Sequence, residues 1–211
     1  MIYIPPNGNH KTDGMKRMLD MMVVGGGYVG LAAAVAVKQA APHLRVEVVE
    51  AAPAGIWEKD ERASAIIAAA SKMLDVLQVW DEILPHAQPI NRMIVTDSRT
   101  SDPVRPVFLT FDGAIEDNKP FAHMVPNVAM VRALRGAAER LGIEIRHGLS
   151  ATGFNTGTSC TTLTLSDGST AETRLLVACD GVRSKLRNLA GIKTVSWKYG
   201  QSGIVTTVAH E

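Results

Sequence analysis

The sequence predicts an α/β fold in which a parallel sheet begins with a βαβ unit, joined to part of a second, β-rich domain. Three observations carry this. Residues 21–24, MMVV, form a short apolar run that meets glycine at once, as a buried strand does when it ends in a tight turn. From Tyr28 to Ala40 the chain is rich in alanine and other helix-compatible residues until Pro42 stops it. Residues 45–50, RVEVVE, then alternate and close on an acid. A chain of 211 residues has room for one substantial core and part of another.

The remaining elements follow in order. Residues 1–20 carry Pro5-Pro6, Asn7-Gly8 and mixed polar residues without the long apolar core of a signal peptide, and are expected to be a flexible tail. From Ser64, a candidate N-cap, the apolar residues Ile67, Met73, Leu74 and Leu77 recur at spacings that suit one face of a second helix. Residues 90–98 and 103–113 are rich in β-branched positions and predict two strands of a small, separate sheet. Asn127 is placed to cap a helix with an apolar stripe of Met130, Val131, Leu134, Ala137 and Leu141, which Gly142 closes. Residues 143–147 predict a strand, Asp167-Gly168 a hairpin turn, and residues 173–179 an apolar strand delivering Asp180-Gly181 to another helical stretch. Residues 202–211 are a last strand candidate.

The glycines Gly25, Gly26, Gly27 and Gly30 contain G-x-G-x-x-G, a pattern that is weak alone and specific in a βαβ unit. There the first glycine permits the tight turn, the second lets backbone approach a pyrophosphate, and the third lets helix pack on strand. The helix that starts at these glycines turns free N–H groups and its positive dipole end toward the phosphates. Glu50 stands 20 residues after Gly30 at the end of the second strand, where a carboxylate accepts hydrogen bonds from ribose hydroxyls and repels a 2′-phosphate. That pattern predicts FAD or NAD rather than NADP. Arg62, just before the second helix, can reach a pyrophosphate or a flavin edge, or can be a solvated loop arginine; Asn127 can touch the cofactor or cap its own helix.

Composition narrows the partners. A hydrophobic content of 46%, a charged content of 20% and a formal net charge of +1 lack the basic excess that neutralises nucleic-acid phosphates. The longest apolar run, residues 31–37, is too short to span a bilayer. Cys160 and Cys179 have no C-x-x-C spacing and the six histidines form no ligand-like cluster, so no metal is expected, the histidines are taken as surface or satisfied core residues, and a cytoplasmic setting fits.

Taken together, VVGGGYVGLAAAVAV, ERASAI, ACDGVRSKLR and WKYGQSGIVTTVAHE resemble the class A flavoprotein monooxygenases, the aromatic-ring hydroxylases of the p-hydroxybenzoate hydroxylase fold, and within them the ubiquinone-biosynthesis hydroxylases. The resemblance implies a Rossmann-like FAD-binding domain in two parts, 21–88 and 120–191, with inserted substrate-domain strands at 89–119 and the start of the remaining substrate domain at 192–211. It implies FAD as cofactor, NAD(P)H as co-substrate, and transfer of oxygen from O₂ to an aromatic ring, here a polyprenylated phenol. By residue, it makes Gly25, Gly26, Gly27 and Gly30 the phosphate turn and Glu50 the ribose ligand. Arg62 and Asn127 become contacts on the pyrophosphate and ribityl side, Asp180 and Gly181 a turn near the pyrophosphate, and Arg187 a candidate contact for the nicotinamide donor. No side chain is nominated as catalytic, because the flavin carries the chemistry. Peripheral association with the inner face of a membrane, or with a biosynthetic complex, is the expected setting.

Two departures from the family pattern stand out. Met21-Met22 open a strand that commonly begins with a polar residue, and the family's later Gly-Asp motif has no counterpart in these residues. The 211 residues are therefore expected to be the N-terminal part of such an enzyme and not to hydroxylate alone. The alternatives are a non-catalytic dinucleotide-binding module and an NAD-dependent dehydrogenase.

Overall fold

The structure is a computed structural model that describes residues 18–97, 101–112, 120–200 and 202. Of the tail expected at 1–20, residues 1–17 lie outside the described residues, and Leu19 and Asp20 belong instead to the first strand, where Leu19 is buried and pairs with Thr173. The strand expected at 202–211 lies outside the described residues except for Ser202. β1 (Leu19–Val24) leads through the glycine turn into α1 (Tyr28–Ala40), which returns to β2 (Val46–Glu50). A short 3₁₀ turn (Ile56–Lys59) precedes β3 (Ala63–Ile67), α2 (Ala68–Val76), α3 (Trp80–Ile83), β4 (Gln88–Ile90), β5 (Arg92–Thr96), β6 (Val107–Asp112) and β7 (Ala122–Pro126). Then come α4 (Asn127–Arg140), β8 (Glu144–His147), β9 (Ala151–Thr156), β10 (Thr161–Leu165), β11 (Thr170–Ala178) and α5 (Lys185–Leu189).

The main sheet has the order β8-β2-β1-β11-β10-β9. Its first four strands run parallel, and β10 and β9 add an antiparallel meander. The central strand β1, and Val46, Val48 and Val49 of β2, put apolar side chains on both faces, as burial on both sides requires. Met21, Val23, Val46 and Val48 point toward α1 and α4 in the larger core, while Met22, Val24 and Val49 face Leu163, Leu165 and Leu186 on the other side. α4 presents Met130, Leu134 and Ala137 to the larger core, the stripe its 3.6-residue period dictates. A side chain such as Leu31 or Leu134, fully removed from water, stabilises the fold by roughly 1.5–3 kcal/mol.

Within the expected segments 90–98 and 103–113, Arg92–Thr96 and Val107–Asp112 pair antiparallel as β5 and β6 in a sheet of their own, while Ile90 belongs to β4. A third sheet has the order β3-β7-β4, so β4 pairs with β7 across the inserted segment.

Two capping expectations fail. Ser64 does not start a helix: Ala63–Ile67 is a strand because it pairs with Ala122–Pro126, a long-range ladder that outweighs local cap chemistry, and α2 begins at Ala68. Asn127 does not cap α4 either; Pro126 holds the cap position and Asn127 is the first helical residue, its side chain engaged elsewhere.

Candidate functional site

The carboxyl ends of β1, β2 and β11 converge where an open α/β sheet binds ligands. Gly25 sits at φ +115°, and a Cβ there would lie 2.2 Å from the backbone oxygen of Cys179, so only glycine lets β1 turn against the end of β11. At Gly30 a Cβ would come within 2.0 Å of the Gly25 carbonyl oxygen, which fixes how closely α1 approaches the turn. Gly27 differs: a Cβ would meet nothing within 4 Å. It stands at the N-terminus of α1, which no side chain caps, so the N–H groups of the first turn are left to a ligand in the cradle beside it.

Glu50 closes one side of that cradle. Its carboxylate accepts from the Gly26 N–H through Oε2 and from the Ala52 N–H through Oε1 at 2.8 Å. These bonds orient the side chain and leave further lone pairs on each oxygen. Two adjoining clefts share Gly27 and Glu50. One, about 440 Å³, continues to Cys179, Asp180 and Gly181; the other, about 650 Å³, continues to Trp57, Arg62, Asn127 and Arg135.

In the larger groove Asp60, which sequence reasoning passed over, is the organising residue. Arg62 grips it with two bonds, Nε to Oδ1 at 2.8 Å and Nη2 to Oδ2 at 2.9 Å. Asn127, only 6% exposed, donates from Nδ2 to the same Oδ2 at 3.1 Å and accepts from Ser64 Oγ at 2.7 Å. The buried amide is therefore held by side chains from two other segments, which is why it does not cap its helix. Arg62 itself keeps 75% of its side chain in solvent.

The Arg62 hydrogen bonds, helped by that from Asn127, lower the Asp60 carboxyl from 3.8 to about 2 against the opposing effect of burial. A depressed folded-state value means that the stabilisation is complete above pH about 4 and disappears as the pH falls through about 2. Asp60→Asn is accordingly expected to lower stability at neutral pH, with the gap from the parent narrowing below pH about 4 and closing near 2. Urea unfolding at a series of pH values measures this; a gap that stays constant down to pH 2 would refute the assignment.

Asp180 is drawn inward. Burial raises its carboxyl, but the Ser184 hydroxyl and the Leu186 N–H donate to it, and the balance lies below the ordinary value. It thus ties the start of α5 to the turn at Gly181, whose φ of +84° suits glycine. Arg187 is placed apart from Glu50 and Arg62. It lines a third cleft, about 590 Å³, with Asp180, Leu175 and Leu186, and its Nε is buried without a partner among the described residues.

The glycine cradle, the uncapped helix end and the adjacent carboxylate fit the diphosphate and ribose of an adenine dinucleotide. Among the described residues no group of His, Cys, Asp and Glu could hold a metal ion.

Residues 18–210 match the family model described as the FAD binding domain. This chain belongs to that family. The chain is 34% identical to the ubiquinone hydroxylase UbiL of Rhodospirillum rubrum, over 98% of this chain and 48% of that protein. It is 30% identical to the 3-demethoxyubiquinol 3-hydroxylase of Escherichia coli, over 91% and 49% respectively. A third relative, the mitochondrial ubiquinone biosynthesis monooxygenase COQ6 of Mus musculus, is 30% identical over 90% of this chain and 42% of its own length. The chain thus spans about half the length of these relatives. Among solved structures, the p-nitrophenol 4-monooxygenase PnpA of Pseudomonas putida superimposes with a TM-score of 0.69 at 20% identity, covering 84% of this chain and 44% of that one. At that identity the likeness speaks for the fold alone, and it agrees with the α/β architecture.

Proposed function

We propose that this chain forms the FAD-binding part of a monooxygenase that hydroxylates the aromatic ring of a polyprenylated phenol in ubiquinone biosynthesis, with NAD(P)H and O₂ as co-substrates. The observation that carries the reading is the cradle at Gly27 beside Glu50: an open approach to an uncapped helix end, flanked by a carboxylate already oriented by two backbone N–H groups. The substrate class rests on the ubiquinone hydroxylases among the relatives. When bound, the flavin would supply transfer of one oxygen atom from O₂ to the ring.

The chain's own residues hold and place that group. The first turn of α1 takes the diphosphate, Glu50 the ribose hydroxyls, and the Gly25, Gly26 and Gly30 backbone keeps the turn in shape. Arg62 and Asn127, joined through Asp60, line the flavin-ward side, and the Asp180-Gly181 turn lies against the diphosphate from β11. Arg187 stands on the far side of that turn as a contact for the nicotinamide donor. The division into FAD-binding segments 21–88 and 120–191 around inserted strands is part of this proposal. So is peripheral membrane association, which a prenylated substrate favours; among the described residues no helix is long and apolar enough to cross a membrane.

Purified protein should titrate with FAD, and binding of NAD in preference to FAD would sink the reading. Glu50→Gln should weaken FAD about ten- to a hundredfold, because one oxygen that accepts charge-assisted bonds becomes a donor. Fluorescence titration of the variant against the parent checks this.

A further inference from the structure

We infer that Arg135, held against Trp57 and His147, is the residue that binds the adenine base in the cofactor groove and makes the site prefer adenine to a smaller pyrimidine. The inference rests on the FAD reading above.

The placement follows from strand register. Glu50 ends β2, and its partner on the neighbouring strand β8 is His147. If the diphosphate lies at the α1 end and the ribose on Glu50, the base leaves the ribose beside that neighbour. Arg135 reaches the same place from α4: its Nη2 lies 2.6 Å from His147 Nε2, and its guanidinium carbon sits 5.5 Å from the centre of the Trp57 ring. All three residues line the groove that holds Gly27 and Glu50.

Each contact limits what Arg135 can do. A guanidinium has only donors, so His147 Nε2 must accept and the imidazole proton resides on Nδ1; that atom is buried without a partner among the described residues. His147 is thereby a prop that accepts from Arg135 at Nε2. Trp57 covers one side of the guanidinium. Among the described residues no carboxylate is hydrogen-bonded to it, although burial pulls its pKa down while Glu50 and Glu58 act to raise it. A planar cation so fixed, partly out of water on the wall of an open groove, offers a surface for stacking a base and N–H donors for the ring nitrogens along its edge. An arginine serving only to join α4 to the sheet would need neither the aromatic backing nor a place on the groove wall.

ADP and UDP share the ribose and diphosphate and differ in the base, so their ratio isolates this contact from everything at Gly27 and Glu50. Calorimetric titration of the full chain should show ADP bound more tightly than UDP. In Arg135→Met, ADP should weaken about tenfold and the ADP-to-UDP ratio should fall toward one, with UDP little changed. Arg135→Lys keeps the charge and stem but loses the planar fork, so its ratio should also fall, and this variant decides the matter if the methionine variant does not fold. A parental ADP-to-UDP ratio in a folded variant, or equal losses for both nucleotides, would overturn the inference while leaving FAD binding intact. Failure of the parent chain to bind FAD or ADP at all would instead overturn the proposed function, and this inference with it.

Discussion

Gly30→Ala is expected to abolish folding of the nucleotide-binding unit, although it adds a single methyl group. The added carbon would stand 2.0 Å from the Gly25 carbonyl oxygen, with Val23 Cγ1 at 3.1 Å and Cys179 Cβ at 3.2 Å behind it. Carbon and oxygen cannot approach that closely, and the nearest of the three neighbours is backbone, which cannot rotate aside, while Val23 lies in buried β1 and the Cys179 Cβ is fixed by the backbone just after β11. α1 must therefore lift from β1 by more than an ångström, opening the core around Leu31 and Val35, which are fully buried. Overpacking in a core ordinarily costs about 1–3 kcal/mol; a clash with backbone at a motif position belongs with the exceptional losses above about 4 kcal/mol. Against a total stability of about 5–15 kcal/mol, that predicts loss of the cooperative thermal transition. A variant melting within a few degrees of the parent would show that α1 does not pack as described.

Three residues away the same motif predicts the opposite division of effects. Gly27→Val should leave the fold intact and remove FAD binding. The backbone at Gly27 is extended, with φ −76° and ψ 175°, a conformation that suits a β-branched residue, and the space for its side chain is empty. That space is where the diphosphate would approach the helix end, so a valine there should weaken FAD about a hundredfold or more. Circular dichroism and thermal melting should match the parent while flavin titration fails. Full affinity in this variant would place the phosphates elsewhere.

The contrast also marks how far the sequence could be followed. The α1 boundaries were legible because an alanine-rich run lies between glycines and Pro42, so local chemistry decided both ends. The β10–β11 hairpin was legible from Asp167-Gly168 for the same reason. Ser64 misled because its local signal, a capping residue before an apolar run, is the same whether or not a partner strand exists; that partner, β7, lies about 60 residues away in sequence. Asn127 misled in a related way, since the helix was visible but the acidic group that claims its amide, Asp60, sits 67 residues earlier in the chain. Asp60 itself carried a readable sign, being two residues before an arginine that it can chelate. Arg135 and His147 carried none. They meet Glu50 only through the β2–β8 register and the pitch of α4, and the histidine set aside as a surface or satisfied core residue is one whose buried Nδ1 has no partner among the described residues.

The missing Cβ of Gly25 against Cys179 joins positions about 150 residues apart along the chain. At synthesis rates of about 5–20 residues per second, the first strand and its glycine turn wait on the order of ten seconds for the segment that completes them. Until β11 arrives, β1 has only β2 beside it, and its other edge of backbone donors and acceptors is open to any extended chain nearby. The nucleotide cradle is thus encoded first and finished late. Slowed elongation or chaperone scarcity should consequently be felt as aggregation of nascent chains, long before any effect on affinity could be measured.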